Sequence, residues 1–152
     1  MTNTKQFCTF FVNGLFFGVE VLKVQEVIRY QGMTRVPLAP NTIQGLINLR
    51  GQIVTAIDLR CRLELAARDS HQLPTNVVIR SDDGAVSLLV DEIGDVVEIQ
   101  DDIYERPPET LKGVARELVK GVYKLKERLL LILDTEKTIN LGGVGRTQEN
   151  AA

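Results

Sequence analysis

The 152-residue chain has no tryptophan, one histidine and two cysteines, and these scarcities exclude several kinds of chemical site. Cys8 and Cys61 lie far apart in the sequence, so with a single histidine they lack the spacing of a zinc site. We interpret both as free thiols packed as small apolar side chains. His71 lies in a polar stretch without apolar neighbours, which favours a solvated residue over a catalytic base. We therefore expect no metal and no other cofactor.

Features that nucleic-acid, phosphate or membrane binding would need are also missing. The chain has 18 basic and 20 acidic residues and no long basic run, which argues against a nucleic-acid partner. A phosphate-binding loop requires a lysine and a helix after its glycines, and the glycines at 142–145 precede neither of these. No apolar run is long enough to cross a membrane and residues 1–6 do not form a signal peptide, so we expect a soluble cytoplasmic protein without direct membrane insertion.

Carboxylate pairs at 82–83 and 101–102 are the remaining candidates for acid–base chemistry. Both lie in predicted turns, where aspartates more often bond nearby backbone amides. Acid–base pairs need burial and neighbours that separate their pKa values, and the turns offer neither. We therefore predict that the chain is not an enzyme.

An internal repeat is the strongest structural signal. Gly45–Leu63 reads G-L-I-N-L-R-G-Q-I-V-T-A-I-D-L-R-C-R-L, which predicts strand, tight turn, strand and a short helix capped by Asp58. The pattern returns without a gap in Gly121–Ile139, and an earlier match pairs Val21–Ile28 with Val90–Val97. Two ordered matches favour duplicated structural units over chance similarity of apolar strands.

The other predicted strands come in hairpins. Asn13-Gly14 between two apolar runs predicts that Phe7–Val12 pairs with Leu15–Val19. Val77–Arg80 and Ala85–Val90 flank an acidic turn and predict a second hairpin. With the duplicated segments, these runs amount to roughly ten short strands, which indicates a mainly β fold.

Connections and burial complete the predicted architecture. The two prolines of Arg35–Pro40 favour an extended connection, and Glu64–Asn76 loses apolar periodicity as a linker would. Leu129–Leu133 is a continuous apolar run, typical of a strand buried on both faces. We predict two small five-stranded β-barrel subdomains with a few short helices. The expected boundaries are 7–141 for the domain, about 15–66 and about 77–139 for its subdomains with the N-terminal strand shared between them, and 142–152 for a flexible tail.

Several residues remain open to two interpretations. The guanidinium of Arg50, beside a glycine between two strands, suits a partner's carboxylate as well as the carbonyls of its own fold. Val24 and Glu26 fit a binding surface, but they also fit a core position and a solvent position. A barrel that binds a small ligand is an alternative function, and it would need a sizeable cavity. Bulky Phe10 and Phe11, with the leucine-rich last strand, predict a filled interior instead.

The ordered set of motifs resembles the CheW family of bacterial chemotaxis. The segment G-L-I-N-L-R-G with its downstream I-D-L-R is the most specific match. Further similar segments are F-F-G-V-E-V-L-K-V-Q-E-V-I from Phe16, T-R-V-P-L-A-P from Thr34, V-D-E-I-G-D-V from Val90, the prolines at 107–108 and L-L-L-I-L-D from Leu129. The resemblance covers about residues 7–141, nearly the whole chain.

The resemblance implies a non-catalytic adaptor with two small five-stranded barrels. Such proteins link the cytoplasmic tips of chemoreceptors to the regulatory domain of the histidine kinase CheA. They are cytoplasmic and are recruited to receptor arrays at the membrane. We expect a stand-alone adaptor here. The positions that match the receptor-binding groove between the barrels are Val24, Glu26, Gly45, Arg50, Val77 and Val96, whereas the kinase contacts are not placed.

Physical chemistry suggests a role for each matching position. A receptor tip is a helical hairpin, for which an apolar groove with a few polar anchors is the expected mode of binding. The three valines would line the groove, and Glu26 and Arg50 would fix the register through charge. Gly45 would let a backbone approach closely.

Overall fold

β-Branched, leucine and aromatic residues build a fold dominated by short strands. The computed structural model describes residues 4–82, 84–100 and 104–141, so the acidic pair at 101–102 and the predicted tail at 142–152 lie outside the described residues. The strands are β1 Thr4–Val12, β2 Leu15–Glu20, β3 Val24–Ile28, β4 Ile43–Leu49, β5 Gln52–Asp58, β6 Thr75–Ile79, β7 Val86–Val90, β8 Glu92–Gln100, β9 Tyr104–Glu105, β10 Val119–Lys124 and β11 Leu129–Leu133. The α-helices are α1 Leu59–Arg62, α2 Gly113–Leu118 and α3 Thr135–Ile139, and a 3-10 turn forms at Val21–Lys23.

The strands form two sheets. The first has the order β8-β1-β2-β11-β10-β9 and the second the order β3-β6-β7-β5-β4. Each contains one parallel pair, β2 with β11 and β5 with β7. The predicted mainly β fold with few short helices is confirmed. The prediction of two closed five-stranded barrels is wrong, because the first sheet has six strands and, in the described part of the chain, no ladder joins the outer strands of either sheet.

The internal repeat is visible in the strand order. The row β3-β6-β7-β5-β4 corresponds strand for strand to β8-β1-β2-β11-β10, including the position of the parallel pair. A register shift precedes Gly45 in one hairpin and Gly121 in the other. Both hairpins end in a capped helix, in which Asp58 accepts from the Arg60 N–H at 3.2 Å and Asp134 from the Lys137 N–H at 3.1 Å. The structure thus confirms the repeat.

The sheets do not coincide with the predicted subdomains at about 15–66 and 77–139. The first repeat places β1 and β2 in the first sheet and its other strands in the second. The second repeat does the converse, since β6 and β7 join the second sheet. The second sheet therefore combines a hairpin of the second repeat with three strands of the first. The first sheet combines a hairpin of the first repeat with four strands of the second, the short β9 included. The lengths of the apolar runs do not show which sheet a hairpin joins, because each of the two equivalent hairpins could pair with either sheet.

Three apolar clusters explain how the sheets hold together. The largest cluster takes residues from both sheets, among them Phe10, Val77 and Leu131. A second cluster around Leu130 belongs to the first sheet, and a third around Val78 belongs to the second. Alternate residues of β6 and β11 thus face the shared cluster and the sheet's own cluster. The predicted burial of the last strand on both faces is confirmed for four of its five residues.

An ion-pair network joins α1 and the linker after it to Asp91, the residue between β7 and β8. The Arg60 guanidinium donates to the carboxylate of Asp91 at 2.6 Å, and Arg68 donates to Asp91 at 3.0 Å and to Asp58 at 3.4 Å. The backbone N–H of Asn13, in the β1–β2 turn, donates to Asp91 at 2.6 Å. Burial alone would raise the pKa of Asp91, but these hydrogen bonds and the charge of Arg60 lower it overall.

Two smaller predictions concern cysteine and membrane-spanning segments. Cys8 and Cys61 are free thiols, as predicted, and burial raises the pKa of the Cys8 thiol. Within the described ranges, none of the helices is long and apolar enough to cross a membrane. His71 is exposed in the segment between α1 and β6, in line with a solvated residue.

Candidate functional site

Arg50 lies at the tip of the β4–β5 hairpin. Arg50 and Gly51 both have positive φ, at 52° and 88°, and form a two-residue turn closed by Leu49 and Gln52. The Asn48 side chain fixes the turn by accepting from the Gly51 N–H at 2.9 Å. Each residue of N-L-R-G therefore contributes to the turn: Arg50 and Gly51 form it, Leu49 closes it and Asn48 bonds its backbone. The turn leaves 71% of the Arg50 side chain exposed.

The guanidinium of Arg50 forms an ion pair with the carboxylate of Glu26. Its Nη2 donates to Oε2 of Glu26, whose side chain is only 21% exposed on β3. β3 and β4 are the two outer strands of the second sheet, and no backbone ladder among the described residues joins them. The ion pair links β3 to the turn that follows β4. Arg50 thus binds a carboxylate of its own fold and still presents donors to solvent. Beside it lies a shallow depression of about 260 Å³, lined by Gln25, Leu49, Arg50 and Gln52.

Gly45 is buried, and the backbone that approaches it belongs to the same chain. A Cβ at this position would lie 2.8 Å from the carbonyl oxygen of Thr34 and 2.9 Å from the Cβ of Met33. Thr34 and Leu46 exchange two backbone hydrogen bonds, at 2.9 and 2.8 Å, directly beside the glycine. The expected close approach is therefore intramolecular: Gly45 admits residues 33–34 as a short extension of the second sheet.

The three valines of the predicted groove have different environments. Val24 is half-buried on β3 and packs against the shared core, and Val96 is 59% exposed on β8, an outer strand of the other sheet. Val77 is fully buried in the shared core. The expectation that Val77 lines an exposed groove is therefore wrong, because the space between the sheets at this point is filled by apolar side chains.

Sequence reasoning missed two apolar surface residues near the ion pair. Val27, next to Glu26, is 41% exposed, and Ile53, which pairs with Asn48 beside the hairpin tip, is 65% exposed. The repeat contained a signal for Val27 alone, because its partner is a predicted groove residue, whereas the partner of Ile53 lies in a strand that was predicted to be buried. The gap-free alignments place Val27 opposite Val96 and Ile53 opposite Leu129, and these partners are exposed as well.

A second depression, of about 580 Å³, lies at the tip of the β1–β2 hairpin. Phe11, predicted as interior, lines it together with Phe16, and the Arg128 guanidinium stacks 5.4 and 5.0 Å from the two ring centroids. Phe10, by contrast, is fully buried. Phe10 thus helps to fill the interior as predicted, whereas Phe11 is only partly buried and borders the depression.

Comparison with known proteins adds to this geometry. The family model described as CheW-like domain matches residues 6–142. Chemotaxis protein CheW of Klebsiella aerogenes is 31% identical over 136 residues, which cover 90% of this chain and 82% of that protein. Chemotaxis protein CheW of Bacillus subtilis is 32% identical over 131 residues, which cover 86% and 84%.

A solved structure agrees with the sequence matches. The crystal structure of scaffolding protein TtCheW from Thermoanaerobacter tengcongensis superposes with a TM-score of 0.83 at 25% identity, covering 94% of this chain and 96% of that one. Strand order, the N-L-R-G hairpin and the match over residues 6–142 therefore lead to one conclusion. The chain belongs to the CheW-like family.

Proposed function

We propose that the chain is a non-catalytic adaptor that couples the cytoplasmic tips of chemoreceptors to the histidine kinase CheA. The observation that carries this proposal is the near-complete overlap with a protein described as a scaffold, at 94% and 96% of the two chains. An adaptor needs a rigid frame with separate surfaces, and two sheets around one shared core provide such a frame. The proposal places the protein in the cytoplasm, recruited to receptor arrays.

The receptor-binding surface is proposed around the ion pair of Glu26 and Arg50. A carboxylate that bonds one nitrogen of a guanidinium orients the other donors before a partner arrives. This reduces the side-chain entropy that is lost on binding. Val24 lies two residues from Glu26 on β3 and offers partly exposed apolar surface, and Val96 contributes from β8. Gly45 acts indirectly, through the backbone of residues 33–34 that it admits. Helical hairpins that present carboxylates and apolar side chains fit such a surface.

The test is calorimetric titration of a soluble receptor-tip hairpin from the same cell into the chain. Arg50→Ala is expected to weaken binding by about 1–2 kcal/mol, roughly 5- to 30-fold, because Arg50 would be an interface anchor. The free energy of unfolding should fall by less than about 1 kcal/mol, since the Arg50 side chain is 71% exposed and water can solvate the Glu26 carboxylate through the space it leaves.

Arg80→Ala is the matched control, because Arg80 is an exposed arginine that directly follows β6, at the turn of the other hairpin of the second sheet. It should leave the affinity unchanged. If Arg50→Ala unfolds the chain, Arg50 is structural and the assignment fails. If it keeps both fold and affinity, the receptor surface lies elsewhere.

A further inference from the structure

The connection between β3 and β4 contains an unusual turn. The two prolines of R-V-P-L-A-P predicted an extended connection, but the chain turns at Pro37-Leu38, where the Ala39 N–H donates to the Val36 carbonyl at 3.3 Å. Leu38 has a φ of +67°, as the third residue of a type II turn does. That position favours glycine or asparagine, because a Cβ there meets the neighbouring carbonyl. Leucine thus holds a strained backbone conformation.

The Leu38 side chain makes no contact that would offset the cost of the strained backbone. Leu38 is completely exposed, at 102% of its reference area, and the adjacent Val36 is 36% exposed. Pro37 fixes the backbone on one side and Pro40 follows closely on the other, so the turn is stiff. Residues that combine strained backbone with exposed apolar surface often serve binding, because a rigid apolar side chain loses little entropy when it enters a pocket.

The charge around this turn has one sign. No aspartate or glutamate occurs between Glu26 and Asp58, whereas Arg29, Arg35 and Arg50 lie in that interval. Arg29 and Arg35 are exposed, and neither forms an ion pair with any described residue. A partner that covers Leu38 therefore meets unneutralised guanidinium groups, which carboxylates at the rim of its pocket would complement.

The position of the turn relates it to the proposed receptor surface. Thr34 pairs antiparallel with Leu46, so the chain from Thr34 to Leu38 runs along β4 away from Arg50. At the usual rise of a strand, Arg50 and the turn lie roughly 25 Å apart along β4, with Gly45 between them. A helix of about five turns covers that distance.

We infer that Leu38 and Arg35 form a second anchor for the receptor tip. The part of the tip that they bind is an apolar seam between two helices, bordered by carboxylates. This inference rests on the proposed adaptor function and extends its receptor surface from Arg50 to the far end of β4. Leu38 supplies the apolar contact and Arg35 the charge. The strained backbone is retained because it holds the leucine in the orientation that binding requires.

The experiment measures affinity and stability on the same variants. In calorimetric titration with the soluble receptor-tip hairpin, Leu38→Gly should weaken binding at least tenfold, while Tm is held or rises by up to about 2 °C because glycine accepts the positive φ. Leu38→Asn tolerates the same backbone and should weaken binding equally. Leu73→Gly is the matched control: Leu73 is 65% exposed with negative φ, so its Tm should fall and its affinity should stay unchanged.

A salt series separates the role of Arg35 from that of Leu38. Arg35→Ala should weaken binding several-fold at low ionic strength and less at high ionic strength, because salt screens exposed charges. Leu38→Gly should have the same effect at both. Since Leu38 and Arg50 share no contact, their binding effects should add.

The outcomes distinguish this inference from the function on which it rests. If the unaltered chain binds the receptor tip and Leu38→Gly leaves affinity unchanged, the second anchor is refuted and the adaptor function stands. If Leu38→Gly weakens only the binding of the CheA regulatory domain, the partner assignment is overturned. If the unaltered chain does not bind the receptor tip, the receptor half of the proposed function fails, and this inference fails with it.

Discussion

Gly45→Ala tests whether this glycine serves the fold or a partner. The added Cβ would lie 2.8 Å from the Thr34 carbonyl oxygen and 2.9 Å from the Met33 Cβ, against the ordinary contact distance of about 3.5–4.0 Å. Both atoms belong to backbone or to its first side-chain carbon, so residues 33–34 must move away by more than half an ångström. That movement strains the two hydrogen bonds between Thr34 and Leu46.

The cost follows from these two effects. Overpacking typically costs about 1–3 kcal/mol, each weakened hydrogen bond adds up to about 1 kcal/mol, and replacing glycine in a strand returns about 0.5–1 kcal/mol. We therefore expect the free energy of unfolding to fall by about 2–3 kcal/mol. Met33 also packs on the core cluster of the second sheet, which limits how far the segment can move without further loss.

Urea unfolding measures this cost, with the midpoint falling and the slope m unchanged. Gly32→Ala is the matched control in the same connection, because nothing lies within 4 Å of a Cβ built there. It should be neutral or stabilising by up to about 1 kcal/mol. A Gly45→Ala variant that loses receptor affinity but less than about 0.5 kcal/mol of stability would refute the intramolecular explanation, since the glycine would then serve the partner's approach.

Two further predictions concern burial and charge. Val77→Ala should lower the free energy of unfolding by about 2 kcal/mol because Val77 is fully buried. Val96→Ala, at an exposed site, should change it by less than about 0.5 kcal/mol. Equal effects of the two substitutions in urea unfolding would contradict the assignment of Val77 to the core. The lowered pKa of Asp91 means that its carboxylate contributes stability above about pH 4 and that this stability is lost as pH falls through the folded-state pKa. Asp91→Asn should cost about 2–3 kcal/mol at pH 7, because it removes the carboxylate that Arg60 and Arg68 share and leaves only Asp58 to Arg68. It should also flatten the acid limb of stability against pH, and an unchanged acid limb would contradict this.

Local structure was predictable where a residue type has few conformational options. Asn13-Gly14 predicted a tight hairpin, and both residues do have positive φ. Asp58 predicted a helix start, and its carboxylate does cap α1. The duplicated pattern was detectable because the same turn, cap and apolar spacing recur in order. These signals depend on neighbouring residues alone, so tertiary packing does not override them.

Long-range arrangement was less predictable. Which sheet receives each hairpin depends on pairing between distant strands, and the equivalent hairpins β1–β2 and β6–β7 have exchanged places without a change in apolar pattern. The resemblance assigned Val77 to a groove, and Asn-Val-Val-Ile shows no alternation of apolar and polar residues that would have distinguished a buried face from an exposed one. In the structure every residue from Asn76 to Ile79 is buried.

The candidate site was predictable in part. The resemblance located Glu26 and Arg50, and the structure joins them through an ion pair. The resemblance did not indicate that residues 33–34 of the same chain occupy the space beside Gly45, because that contact crosses a connection without apolar periodicity. Leu38 escaped notice because its backbone conformation, and not its residue type, makes it unusual. The binding roles of all these residues stay predictions.

Sedimentation velocity of a three-component mixture tests the adaptor function most directly. A soluble receptor-tip hairpin and the CheA regulatory domain, each fluorescently labelled, are mixed with and without this chain. We predict that the two labels co-sediment only when the chain is present, and that Arg50→Ala releases the receptor label while the kinase domain stays bound. If the folded chain binds neither partner, or if the two partners displace each other from it, the adaptor function is contradicted.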